Sequence, residues 1–178
     1  MLVILGNQLF PLKHLPPSAD GPVYMAEDVG LCTYELHHQQ KIVLFLAAMR
    51  AYADELRAAG YEVLYHELDT ADTRSYEDRL GASMDRVGAT RLTHFEIEDK
   101  PMEARLIEFA EKREFAREAL PSPMFTCSRE AFDDYAAGKS RLLMGDFYKW
   151  QRRRLGVMLD DEGEPLGGRW SFDADNRK

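Results

Sequence analysis

The sequence predicts a doubly wound α/β domain built on a parallel sheet of about five strands. Two observations carry this. Short apolar runs alternate along the chain with segments whose apolar residues recur at three- and four-residue spacing. Those amphipathic segments are long enough to serve as right-handed crossovers between parallel strands. The alternation ends near residue 127. Residues 1–127 therefore form the expected α/β domain, and residues 128–178 a pair of helices followed by an irregular C-terminal linker.

The first strand is LVIL (2–5), a continuous apolar run as expected for a strand covered on both faces. A proline-rich loop, PLKHLPPSADGP, leads to a second strand, VYMAE (23–27). The next segment is the strongest helix: Ile42, Phe45, Leu46, Met49, Tyr52, Ala53 and Leu56 form one apolar face, and Gly60 stands at its stop. YEVLYHEL (61–68) alternates as a strand does. A helix then opens on Ser75 and Asp78, spaced as a capping box, with Tyr76, Leu80, Met84 and Val87 on one side. RLTHFEIED (91–99) is a fourth strand. Pro101 suits the first turn of the helix after it, which buries Met102, Leu106, Phe109 and Ala110. A weaker extended stretch, SPMFTC (122–127), is the candidate fifth strand. SREAFDDYAAG (128–138) and LLMGDFYKWQRRRLG (142–156) read as helices, the second with Leu143, Phe147 and Trp150 on one face.

Composition narrows the function. The longest apolar run, IVLFLAAM (42–49), is far shorter than the roughly 20 residues of a membrane span, and the N-terminus lacks the basic flank of a signal peptide. A cytoplasmic location is expected. Two cysteines, Cys32 and Cys127, cannot supply a disulfide framework or an iron–sulfur cluster. The net charge of −8 argues against a duplex-binding surface, and the local basic cluster KWQRRR (149–154) sits in an acidic background.

Ligands of open parallel sheets bind beyond the carboxyl ends of the strands. Three segments lie there: GNQLF, EDVGLCTY and EIEDKP. Gly6 permits close backbone approach, and Asn7 and Gln8 each offer a donor and an acceptor. No glycine-rich phosphate loop is present. His37 and His38 point about 100° apart on a helix, which disfavours joint chelation of one metal ion. Glu27, Asp28, Glu96, Glu98 and Asp99 could do acid–base work, but helix capping or solvation explains such carboxylates at least as well. Tyr148 and Trp150 beside three arginines read either as base-stacking residues or as an amphipathic helix with a solvated basic edge. A small-molecule pocket is supported; bond chemistry is not.

Four segments carry a resemblance: LGNQL, TYELHHQQKIVLFLAAMRAYADEL, CSREAFDDYAAG and EPLGGRWSFDADNRK. Together they are similar to the N-terminal region of the photolyase-related proteins, the bacterial cryptochrome and (6-4) photolyase group that carries an iron–sulfur cluster. The resemblance implies a Rossmann-like antenna domain that in several members holds a ribityllumazine. It also implies a longer parent, whose C-terminal helical domain binds FAD and the iron–sulfur cluster and repairs damaged DNA. Trp170 and Phe172, with the asparagine–arginine end, would then belong to a linker that lies against that catalytic domain.

By position, the resemblance implies a chromophore pocket made by Gly6, Asn7, Gln8, Ala26, Glu27, Leu31, Cys32 and Tyr34. Leu31 stands where a pocket glutamate is expected, which removes at least one hydrogen bond to a ligand. The expected role is to bind a lumazine or flavin-like antenna chromophore and pass excitation to FAD in a C-terminal domain of the same or a separate chain. DNA would be engaged only through the full-length protein. Two alternatives stand beside this reading. One is a chromophore-free module that docks a separate FAD-domain partner. The other is a generic nucleotide-binding α/β protein, disfavoured by the missing phosphate loop.

Overall fold

The computed structural model describes residues 1–172, which fall into two compact units, residues 1–124 and those from 125 onward. The first carries a five-stranded, all-parallel sheet: β1 (Leu2–Val3), β2 (Val23–Ala26), β3 (Val63–His66), β4 (Arg91–Phe95) and β5 (Ala116–Leu120). Their order in space is β3-β2-β1-β4-β5, so the direction of winding reverses at β1. Four helices belong to this unit: α1 (Val29–Thr33), α2 (Gln39–Ala58), α3 (Tyr76–Val87) and α4 (Lys100–Lys112). This is the Rossmann-like doubly wound arrangement.

The central place of β1 explains its uninterrupted apolar run. Val3 and Leu5 enter one core with Tyr24 and Ala26 of β2, Leu80 and Met84 of α3, and Leu106 and Phe109 of α4. Leu2 and Ile4 enter the opposite core with Val23, Met25, and Met49, Tyr52, Ala53 and Leu56 of α2. A two-sided burial of this kind needs apolar residues at every position of a strand.

Local signals hold the helices in register. Ser75 caps α3 with its hydroxyl on the Asp78 amide at 3.0 Å, and the Asp78 carboxylate accepts in return from the Ser75 amide, completing the capping box. Asp99 caps α4 through the Met102 amide at 2.8 Å, with Pro101 in the first turn. Each cap satisfies amide donors that the helix itself leaves unpaired.

The fifth strand is not where the sequence places it. Residues 122–127 form turns, and the strand is Ala116–Leu120, paired with β4 from Arg91↔Ala116 to Phe95↔Leu120. Its sequence, AREAL, lies on the sheet edge with four of five residues exposed, so backbone pairing defines it and no apolar pattern marks it. Helix α1 was also unforeseen, being a single short turn capped by Asp28.

In the second unit, α5 (Arg129–Ala136) and α6 (Met144–Leu155) pack through rings. Tyr135 is buried, with Phe147 at 5.2 Å and Trp150 at 4.9 Å between centroids. Leu143, expected on that face, is instead the N-cap of α6 and exposed. Beyond α6, Gly167 and Gly168 both adopt left-handed φ values, 86° and 73°, and the turn brings the Phe172 ring back onto Gly167. The last part of the linker, residues 173–178, lies outside the described residues.

Candidate functional site

A cavity of about 330 Å³ opens at the carboxyl ends of β1 and β2, beside the reversal point of the sheet. Seven of the eight residues singled out from the sequence line it: Gly6 and Asn7 after β1, Ala26 and Glu27 at the end of β2, and Leu31, Cys32 and Tyr34 around α1. Gln8 does not. Its side chain is buried, and Nε2 donates to the Glu96 carbonyl at 2.8 Å, which fastens the turn after β1 to the end of β4.

The remaining wall comes largely from the first half of α2, with Ile42, Phe45, Leu46 and Met49. The apolar face of that helix therefore has two uses. Its second half (Tyr52, Ala53, Leu56) covers the sheet, while its first half rims the cavity, with Phe45 still 38% exposed. Read as one periodic stripe, the pattern does not separate core from pocket. Tyr76, Asp99 and Met102 also line it, as do Leu5, Asp28, His37 and Lys41.

Gly6 sits tightly under α2. A methyl group built on it would stand 2.8 Å from Met49 Sδ and 3.6 Å from Phe45 Cδ1. The absence of a side chain there keeps the floor of the cavity open.

Glu27 has a fully buried side chain whose oxygens are saturated. Oε1 accepts from Arg50 Nε and from the Tyr65 hydroxyl, both at 2.6 Å. Oε2 accepts from Arg50 Nη2 at 2.9 Å and from the Leu68 amide at 2.8 Å. Burial by itself would raise this carboxyl, but the hydrogen bonds from Arg50, Tyr65 and Leu68 outweigh it and hold the group below its ordinary range. With four donors already bound, Glu27 joins β2, β3 and α2 and has no lone pair in reserve for a ligand.

Asp28 is committed too: Oδ1 caps the Leu31 amide at 2.8 Å and Oδ2 pairs with the Arg79 guanidinium. Arg79, itself buried, also donates from Nη1 to the Glu27 carbonyl at 3.0 Å. Burial, then the Asp28 and Glu27 charges, push the Cys32 thiol up, so it stays protonated at neutral pH. Tyr34 is 64% exposed and meets His37 edge-on at 5.3 Å. His38 caps α2, its Nδ1 accepting from the Gln40 amide at 3.2 Å. Among the described residues, no group of three or more His, Cys, Asp or Glu could hold a metal ion.

The basic cluster of α6 is occupied within its own unit. Arg152 is buried, donating to the Val157 carbonyl at 3.1 Å, to the Met158 carbonyl, and to the Trp170 carbonyl at 3.3 Å. The Trp170 indole lies against Arg152 and Arg153, and Trp150 against Arg154. Arg152 is therefore packed within the unit, while Arg153 and Arg154 stay exposed on the edge of the helix. Trp170 thus finds its cover inside the unit, while Phe172 stays 42% exposed.

Among the described residues, no helix is long and apolar enough to cross a membrane. The chain is 31% identical, over its whole length, to a (6-4) photolyase of Agrobacterium fabrum, of which it spans 36%. It is 25% identical over 99% of its length to an uncharacterized protein of Acanthamoeba polyphaga mimivirus, of which it spans 92%. The model of the deoxyribodipyrimidine photo-lyase-related proteins matches residues 2–178, and the chain belongs to that family.

Proposed function

We propose that this chain is an antenna-type domain that binds a lumazine or flavin-like ring in the cavity at the ends of β1 and β2. Its part in light-dependent DNA repair would be to pass excitation energy to an FAD held by a C-terminal domain, in the same or a separate chain. Residues 128–178 would serve as the connector to that domain. The observation that carries the reading is the cavity itself, where Gly6, Asn7, Ala26, Leu31, Cys32 and Tyr34 converge under the apolar wall of α2. Its volume of about 330 Å³ stands at the lower end of the usual range for small-molecule sites, about 300–1,000 Å³. That room suits a two- or three-ring heterocycle and not a whole dinucleotide. No lining residue has to perform bond chemistry, because energy transfer asks only that the ring be held in place.

A chromophore-free docking module is the second reading. It is favoured by Leu31 in place of a carboxylate and by exposed apolar residues that adjoin the lining residues His37 and Ile42 in sequence, Leu36, Val43 and Leu44. A fluorescence titration with ribityllumazine, FMN and FAD separates the two. Saturable micromolar binding of one ring, weakened by Tyr34→Ala, is the expected result. Failure of every ring to bind would remove the antenna role and leave the docking module.

A further inference from the structure

Helix α2 is apolar on the side that faces solvent as well as on the side that faces the sheet. Val43 and Leu44 are each 66% exposed, and Leu36, just ahead of the helix, is fully exposed. Ala47 and Ala51, both exposed, carry this outer face on for two more turns. The outward face of a surface helix is ordinarily charged or polar, and a helix apolar all round is ordinarily buried. A contiguous apolar patch of this kind marks a surface that another molecule covers.

The charges of the helix indicate which molecule. α2 carries five charged residues: Lys41, Arg50, Asp54, Glu55 and Arg57. Arg50 pairs with Glu27 at 2.6 Å, and Asp54 with Arg57 at 2.8 Å. Lys41 and Glu55 are exposed and, among the described residues, have no ion pair. Glu55 follows Lys41 by nearly four turns, so the two lie on the same side of the helix but about 21 Å apart. They cannot meet within one chain. A stripe with a cation at one end and an anion at the other is complementary to the same stripe running the opposite way. The sizes agree with the charges. Val43 and Leu44 make the first half of the stripe bulky, and Ala47 and Ala51 make the second half small. Reversing one copy sets large against small and lets the two helices approach closely.

We propose that α2 pairs with α2 of a second copy, antiparallel about a two-fold axis near Ala47, with Lys41 of each copy facing Glu55 of the other. The symmetry makes every contact occur twice. The antiparallel arrangement also brings opposite ends of the two helix dipoles together. One helix pair falls short of the roughly 1,200–2,000 Å² of a standard interface, so the dimer is a weak one with a micromolar dissociation constant. The pairing is independent of what the cavity binds.

Sedimentation velocity of the full chain from about 5 to about 500 µM should show monomer passing into dimer. Lys41→Glu and Glu55→Lys each set like charges together twice, and each should weaken the dimer about fivefold or more. An equimolar mixture of these two variants should regain the original affinity, because every facing pair is again of opposite sign. Ala47→Arg, at the two-fold axis, should leave monomer at every concentration. A chain that stays monomeric over the whole range would overturn the proposal and leave the patch to another partner, an FAD domain included. A dimer that Ala47→Arg does not weaken would refute the α2 contact. Charge variants that fail to recover on mixing would refute the antiparallel register.

Discussion

Replacing Gly6 with alanine separates a structural from a ligand-binding role at the centre of the cavity. The backbone of Gly6 is not in the left-handed region, so alanine brings no conformational strain. The effect comes from contact. The new methyl would stand 2.8 Å from Met49 Sδ and 3.5 Å from Met49 Cγ, closer than van der Waals contact to the sulfur. Met49 is 5% exposed, but a thioether is flexible and has the cavity beside it to move into. Overpacking of this kind costs about 1–3 kcal/mol. Removing a glycine from the unfolded chain returns about 0.4–1 kcal/mol. The net loss is between about 0 and about 2.6 kcal/mol, which at about 2–4 °C per kcal/mol lowers the melting temperature by at most about 10 °C. If the cavity is the proposed ring site, ligand binding should suffer more, because methyl and displaced thioether both take up cavity space. Urea unfolding measures the first effect and fluorescence titration the second. A folded Gly6→Ala protein that binds a ring with undiminished affinity would refute the assignment of the cavity as the ring site.

Three further predictions follow from the packing and the charges. Glu27 has its carboxyl held below the ordinary value of 4.5, so its stabilisation is complete above that value and is lost as pH falls through the lower folded value. Urea midpoints of the native protein should therefore drop on acidification below that value. The drop should be shallower in Glu27→Gln, and identical pH profiles would contradict the network around Arg50, Tyr65 and Leu68. Leu56→Ala removes a fully buried side chain from the core under α2 and should cost about 2–5 kcal/mol in urea unfolding, with a loss below 1 kcal/mol disproving tight packing there. Arg152→Gln removes the donors held by the carbonyls of Val157, Met158 and Trp170, so thermolysin should cut residues 157–172 several-fold faster; an unchanged cleavage rate would mean that Arg152 does not anchor this segment.

Much of the framework could be read from neighbouring residues. The runs at 2–5 and 23–27 announced buried strands, because a strand covered on both faces must be apolar at every position. Ser75 with Asp78, and Asp99 with Pro101, marked helix starts through contacts only a few residues long. The segments around Gly6, Glu27 and Tyr34 were legible as a candidate site because strand ends in parallel sheets gather on one edge. What those segments could not tell was how each side chain is used.

Those uses depend on partners distant in sequence. The resemblance puts Glu27 in the pocket by position, but Arg50, Tyr65 and Leu68 lie 23 to 41 residues away and take all its acceptor capacity. Gln8 turned inward because the Glu96 carbonyl, 88 residues on, lies within reach. The AREAL strand exists through its backbone pairing with β4, which hydropathy does not record. By itself the sequence determined the layers of the domain, the strand ends where a ligand could sit, and the family. Tertiary structure decided which polar groups are spent inside the fold and which stay unpaired, since hydrogen bonding depends on distances that only the folded chain brings about.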